Sequence, residues 1–324
     1  MPILVPQYPT PGVPPASSYA PVPNTPAGMG VPVSGTSPIN YWAQLGPLTF
    51  GCIDQYGIDW FFSDPEGWAD GSGVVLSQEQ RTNQHGAWVG TTYLAPRMIN
   101  FKGRVMAPSP IAAWQARNAL LGVVAALNTA GVMNTDVVLA VNEPDALKMA
   151  NVRAADVPVI SPVDQAIFTF SIPLIAHDAR KYGAPSTVNV LLPTAASGVT
   201  FPLGPFGVTF GGTGASGLVQ VNNLGNFPAT GVIDINGPCA NPIIMNTTTG
   251  QSMGFSITLG SSDVLEIDLD MGSVILNGTG DRLGTVTPGS VLPNIVPGIN
   301  TFQYLASSYS ALSYAAITSS SVWW

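Results

Sequence analysis

Charge is scarce in this sequence: Asp, Glu, Lys and Arg make up 9% of 324 residues, with 10 basic and 18 acidic side chains and a net charge of −8. An ordinary soluble domain carries about 25%. Ten cations spread over the whole chain do not make the basic patch that binding through phosphates requires, so sequence-specific recognition of nucleic acid is excluded. Cysteine is nearly absent. Cys52 and Cys239 lie far apart and make no disulfide framework; two idle or buried thiols are expected, with a single bridge as the alternative. The two histidines, His85 and His177, build no zinc site unless both cysteines or several acids converge on them. No Gly-x-Ser-x-Gly elbow occurs, and spacing alone neither supports nor removes a Ser–His–Asp site, which assembles in space. No apolar run reaches the ~18 residues of a membrane-spanning helix, so no membrane span is expected. The start, Met1 to Pro6, lacks a basic region and an uninterrupted apolar core and does not read as a signal peptide.

What the chain does have is a normal hydrophobic share, 46%, together with 35 glycines and 30 prolines. A normal core with few charges leaves a surface of Ser, Thr, Asn, Gln, Gly and apolar groups. Proteins that work alone stay dispersed by exposing more charge than this, so much of the surface is expected to be covered by partners. The length suggests about two domains.

Three regions follow from composition. Residues 1–38 hold eleven prolines and no charged side chain, a composition that forms neither helix nor ladder; an extended arm over a neighbouring subunit is favoured over a mobile tail. Residues 39–192 read as short strands: Tyr41 to Leu45, Gly57 to Phe62, Trp88 to Leu94, Arg97 to Val105, Asp136 to Val141, Asp156 to Ile160 and Ala166 to Pro173. In the fourth, Met98, Asn100, Lys102 and Arg104 fall on one face and Ile99, Phe101 and Val105 on the other. One helix is expected, capped by Ser109 with Pro110 in its first turn. Its apolar stripe is Ile111, Trp114, Leu121, Val124, Ala125 and Leu127, interrupted by Arg117 and Asn118, and Gly131 terminates it. Residues 193–324 hold six acids against one base, Arg282, a net of −5. Short strands there, from Gly231–Gly237 to Thr301–Leu305, are spaced like those of an antiparallel sandwich. Asp270-Met271-Gly272 turns one hairpin and Asn277-Gly278 closes the next.

Few motifs promise chemistry. Gly212-Thr213-Gly214-Ala215-Ser216-Gly217 matches a dinucleotide-binding pattern, but Leu218 to Val221 after it reads as a strand and not the helix such a site needs, leaving a glycine-rich hairpin loop. Glu266, Asp268 and Asp270 form a carboxylate column along one strand face. It reads as a polar outer face; calcium binding and catalysis are the chemical alternatives, and a glycosidase pair across a cleft is not evident. Asp178, Arg180 and Lys181 form the densest mixed-charge cluster, suited to a salt bridge within or between subunits. His85 and Gly86 read as a structural turn. Asn246-Thr247-Thr248 and Asn277-Gly278-Thr279 are incidental glycosylation sequons.

Several short motifs, in order, resemble the distal tail protein (minor tail protein) family of long-tailed, siphovirus-type bacteriophages, especially those infecting actinobacteria. They are Arg81-Thr82-Asn83-Gln84-His85-Gly86; Arg97 to Gly103; Phe168 to Ile172 followed by Ala176 to Gly183; Asn222 to Ala229; Ile235 to Pro242; and Pro297 to Phe302. Ala179 departs from the proline that such proteins often carry, and the proline-rich arm is longer than usual. The resemblance implies a mainly β protein. Its N-terminal domain would be a tail-tube-like β-sandwich or barrel with one helix outside, and its C-terminal domain a galectin-like antiparallel β-sandwich. It implies a homohexameric ring at the tail tip of the virion, made in the host cytoplasm, with no catalytic residue, cofactor or metal. The implied partners are the tail tube protein, the tail hub, the tape measure protein and receptor-binding proteins, with DNA only passing through a neutral or acidic lumen. The alternative is a carbohydrate- or receptor-binding tail protein acting through the C-terminal sandwich. Its contact candidates are Trp323 and Trp324 with Phe206, Phe227, Phe255, Tyr304, Tyr309 and Tyr314.

Overall fold

A computed structural model of the chain describes residues 41–128, 136–193, 199–203, 206–210, 217–308 and 310–324. The proline-rich segment 1–38, Gly131 and most of the glycine-rich motif, 212–216, lie outside these residues. The chain divides into two compact units, one of residues 1–145 and 151–178, the other of 146–150 and 179–324. The division falls at 178/179, ahead of the composition shift at 193.

In the central strands of the first unit, aromatic and β-branched residues alternate and one face of each strand is buried. Strand Arg97–Met106 runs between Ile167–Ala176 and Asp59–Phe62, all antiparallel. Ile99, Phe101 and Val105 are buried while Met98 and Arg104 are exposed, as the alternation required. Phe168, Phe170, Ile172, Leu174 and Ala176 form the matching buried row on the next strand. A second group of strands, Leu48–Phe50, Trp42–Leu45 and Val137–Asn142, carries Phe50, which packs edge-on against Trp60 at 5.7 Å and against Phe101 at 4.8 Å. The two groups belong to one sheet, continuous through strand Leu147–Ala154, and this aromatic contact packs them against each other. Among the described residues the sheets do not close into a barrel. Gly103 permits the close approach: a Cβ there would stand 2.3 Å from the Phe61 carbonyl and 2.4 Å from the Phe170 ring.

The helix is Pro110–Asn128, and its cap is the expected one: Ser109 Oγ accepts from the Ala112 N–H at 3.2 Å. Its buried face is different. Ala113, Ala116, Leu120, Val123 and Val124 are buried, whereas Ile111 and Trp114 are 72% and 61% exposed. Apolar residues occupy most sides of the helix, with Gln115, Arg117 and Asn118 the polar positions of its middle turns, so periodicity did not single out a face. The small alanines turn inward because they let the helix lie close to the sheet.

The second unit is the expected antiparallel sandwich. One sheet orders Ser186–Leu191, Tyr314–Ser319, Gly231–Asn236, Val264–Asp268, Val274–Leu276 and Gly280–Asp281; the other orders Leu218–Asn223, Gly298–Leu305, Ile243–Asn246 and Gln251–Gly254. A continuous core that includes Ile233, Ile235, Ile267, Phe255, Phe302 and Tyr304 lies between them. Asn277 and Gly278 have φ of 52° and 71°, the pair of positive values that a tight hairpin turn demands. The strand Leu218–Asn223 follows the glycine-rich motif as expected, but the motif does not close a hairpin among the described residues: Phe206–Phe210 before it pairs with Val199–Leu203, and Leu218–Asn223 with Gly298–Leu305. Cys52 is half-buried and Cys239 buried, and both are free thiols.

Candidate assembly surfaces

The most unusual surface of the first unit is a hairpin. Among the described residues, strands Val74–Gln80 and Ala87–Leu94 pair only with each other. Nearly every residue along them is exposed, and the exposed side chains are large and apolar: Val74, Val75, Leu76, Trp88, Val89 and Tyr93 are 51% to 66% exposed. Successive strand residues point to opposite faces, so Val74 with Val75, and Trp88 with Val89, make both faces of the ribbon apolar. Composition alone located the second strand; the first, with Ser77, Gln78, Glu79 and Gln80, carried too weak a β signal. His85 and Gly86 sit at the tip, where Gly86 has φ 98° and its carbonyl accepts from the Arg81 N–H at 3.2 Å. The Arg81 guanidinium lies over the Trp88 ring at 4.5 Å. The expected structural turn is therefore the end of an apolar blade. An isolated two-stranded ribbon is marginal in water.

Arg97 roots the neighbouring strand. It is 2% exposed, and its Nη1 donates to the carbonyls of Gly67 at 3.0 Å, of Trp68 at 3.2 Å and of Asp70. Burial pulls its pKa down, opposed in part by the Asp70 charge. Trp68, also buried, donates through Nε1 to Glu143 at 2.7 Å. Arg97 thus fixes a loop through three backbone acceptors, a role that its place in a motif did not reveal.

In the second unit the sequence candidates gather around Trp323. Strand Val322–Trp323 pairs with Lys181–Tyr182, with Lys181 opposite Trp323. The Lys148 ammonium lies 5.2 Å from the Trp323 ring, and Lys148, Lys181 and Trp323 are all buried. The ring also fills the space beside Gly183, where a Cβ would meet it at 3.2 Å. Asn223 locks this segment. It is 2% exposed; its Oδ1 accepts from the N–H groups of Gly225 at 3.0 Å and Val322 at 3.2 Å, and its Nδ2 donates to the Phe227 carbonyl at 2.8 Å. Asn226 accepts from the Trp324 N–H at 2.8 Å. The run Asn222 to Ala229, read only as a family motif, is thus a polar clasp on residues 321–324.

Arg180 makes a two-pronged contact with Asp270, at 3.1 and 3.4 Å, ninety residues along the chain, and stacks over Tyr182 at 5.5 Å. Asp178 is solvent-exposed at the end of the first unit. The carboxylate column is not a uniform row either. Asp268 Oδ1 accepts from the N–H groups of Asp270 and Met271 and so builds the turn, while Glu266 stands opposite Asp234 across two strands. Burial, then the Glu266 charge, raises the Asp234 pKa. Among the described residues no three His, Cys, Asp or Glu side chains are grouped to hold a metal ion, and no helix is long and apolar enough to cross a membrane.

The aromatic residues proposed for sugar stacking are mostly unavailable. Phe255 and Tyr304 are core residues, 1% and 0% exposed, and Trp323 is buried. Phe227 and Tyr314 are half-buried, and Trp324 is 45% exposed. Tyr309 and the Phe206 side chain lie outside the described residues.

Residues 224–316 match the family model of the siphovirus-type tail component, C-terminal domain. No curated protein matches the chain. Among solved structures, the SPP1 Dit (gp 19.1) protein, described as a paradigm of the hub adsorption apparatus in phages infecting Gram-positive hosts, aligns with a TM-score of 0.55 at 13% identity over 87% of this chain and 98% of that one. A chain of the phage P2 baseplate in its activated, calcium-containing conformation aligns with a TM-score of 0.44 at 12% identity, again over 87% and 98%. The fold is that of the SPP1 Dit protein, and the resemblance read from the motifs and the family match fall on the same kind of tail component.

Proposed function

We propose that this chain is a non-catalytic structural component of the distal end of a siphovirus tail, in which copies of the first unit assemble into a ring, six-membered as the resemblance implies. The observation that carries this reading is the hairpin Val74–Gln80/Ala87–Leu94, apolar on both faces. Contiguous exposed apolar surface of this kind marks a protein–protein contact, and a second copy of the chain is the occupant that also accounts for the low charge of the whole sequence. The Dit fold and the C-terminal family match support a place in the distal tail; in this reading the chain sits between tail tube protein and tail hub, with the tape measure protein and then DNA crossing the lumen. In this reading residues 1–38 are an arm, 39–192 the ring-forming part and 193–324 a peripheral, galectin-like sandwich that docks receptor-binding proteins.

The test is the mass and shape of the purified full-length chain by light scattering and negative-stain electron microscopy. Closed rings with an open channel are expected. The variant Val75→Asp/Trp88→Ser should remain folded and lose the rings. A wild-type chain that stays monomeric across the micromolar range would sink the proposal.

A further inference from the structure

The exposed side of the helix carries a second feature, independent of the hairpin. Trp114 and Arg117 form one wall of a groove whose other wall is the strand pair Val159–Asp164 and Ile167–Ala176, through Ile160, Pro162, Ile167 and Phe168. Its volume is about 190 Å³, several times the ~30 Å³ share of one water. The Arg117 guanidinium lies 5.1 Å from the centre of the Trp114 ring, and its Nε is buried with no hydrogen-bond partner. Ile111 extends the apolar rim one turn toward the helix start and is 72% exposed. The groove therefore offers apolar walls from Ile160, Pro162, Ile167 and Phe168, an exposed tryptophan and one buried donor that needs an acceptor, with Asp164 and Gln165 as its other polar lining.

Those features fit a polyproline II peptide. Such a helix makes no internal hydrogen bonds, so all its carbonyls are free to accept, and its stiffness lowers the entropy lost on docking against aromatic residues. The chain itself supplies one candidate stretch. Residues 1–38 hold eleven prolines, no charged side chain and three Pro-x-x-Pro runs: Pro6-Gln7-Tyr8-Pro9, Pro11-Gly12-Val13-Pro14 and Pro23-Asn24-Thr25-Pro26. An uncharged peptide sets no like charge against either Arg117 or Asp164, and its free carbonyls can meet the one buried donor that lacks an acceptor. Between Pro26 and Tyr41 the chain can span about 45 Å at ~3.1 Å per residue. A unit of this size has a radius of gyration of about 15 Å, so the last of these runs can reach any of its faces. Tethering also raises the local concentration of the peptide to about the millimolar level, which favours the chain's own segment over a free one.

We propose that the groove beside Trp114 is the docking site of the chain's own proline-rich segment, with a Pro-x-x-Pro run laid across the tryptophan and a backbone carbonyl accepting from Arg117 Nε. The experiment uses the full-length chain with the photoreactive residue p-benzoylphenylalanine in place of Ile111, on the groove rim. Equal amounts of light and heavy isotope-labelled protein are mixed before irradiation, and adducts are mapped by mass spectrometry. Adducts to residues 1–40 within a single isotope are expected. Their yield should fall at least about fivefold when Trp114→Ala or Arg117→Ala is added, with chymotryptic cutting at Tyr8 and Tyr19 accelerated and the thermal midpoint unchanged. Adducts only between isotopes would assign the groove to a neighbouring copy's arm and overturn the proposal. So would adducts to other parts of the chain alone, or a yield insensitive to both substitutions. Because the readout is within one molecule, it stands or falls apart from ring formation.

Discussion

The two units satisfy their backbones and apolar residues differently. The second is internally complete: buried Asn223, Asn246 and Asn300 tie its loops to its strands. Asn246 and Asn300 bond each other at 3.0 Å, and each also donates to a loop carbonyl, of Asn294 and Val296, at 2.7 Å. Its large apolar residues converge on one core. The first unit has an equally dry aromatic centre around Phe50 and Phe101, yet leaves Trp88, Tyr93, Val89, Ile111 and Trp114 in solvent. A polar network in the interior is costly when half-made and specifying when complete, and the second unit shows the complete form. The first holds its own shape and also carries surface that its described residues do not cover. The difference separates residues that determine folding from residues that determine company.

Substitutions can break that separation at graded strength. The largest loss of stability is expected for Arg97→Ala, which strands three carbonyls in the first unit; at about 1–3 kcal/mol per orphaned buried group, a loss of roughly 3 kcal/mol or more should appear in urea unfolding. Gly103→Ala should follow, at about 1–3 kcal/mol, because strand and Phe170 ring must both shift. Asn223→Ala should cost the second unit about 2 kcal/mol by orphaning the Val322 and Gly225 N–H groups, and should alter the emission of Trp323 without changing assembly. In contrast, Val75→Asp/Trp88→Ser should change monomer stability by no more than about 0.5 kcal/mol, the usual range for exposed sites, while abolishing higher-order species in light scattering. Were that double variant to unfold the chain, the hairpin would belong with the core and the contrast would fail.

The smallest effect concerns pH. Asp234 has a raised pKa, so the folded state disfavours its charge: the penalty is present at neutral pH and is relieved as pH falls through the folded pKa. Asp234→Asn should therefore raise stability at pH 7 by a few tenths of a kcal/mol (~0.5 at most, given solvent screening). The gain should vanish in melts below the ordinary carboxylate range. A gain that persists there would point to packing in place of charge.

Much of this was legible in the sequence wherever one face of a strand is buried. Arg97–Met106 and Ile167–Ala176 declared themselves by alternation, and Ser109-Pro110 marked the helix start. The helix's buried face did not, because Ile111 and Trp114 are as apolar as the residues that turn inward, and only the sheet's demand for small side chains selects Ala113 and Ala116. Strand Leu147–Ala154 escaped notice because Lys148 and Arg153 disguise a row of buried positions at 148, 150 and 152. Among the candidate residues, the tryptophan at 323 stood out in the sequence only as a contact candidate, and its clasp, Asn223, looks like any polar loop residue. The partner of Arg180, Asp270, lies too far along the chain for spacing to connect them.

One geometric corollary of the blade remains. A two-fold contact laid flat against it shields one greasy side and leaves the opposite side wet. Head-to-tail repetition gives every molecule a neighbour fore and aft, and a repeating contact of that type must either close on itself or grow into a filament. In the proposed assembly, two-sidedness at Val74, Val75, Trp88 and Val89 therefore favours circles or fibres over pairs.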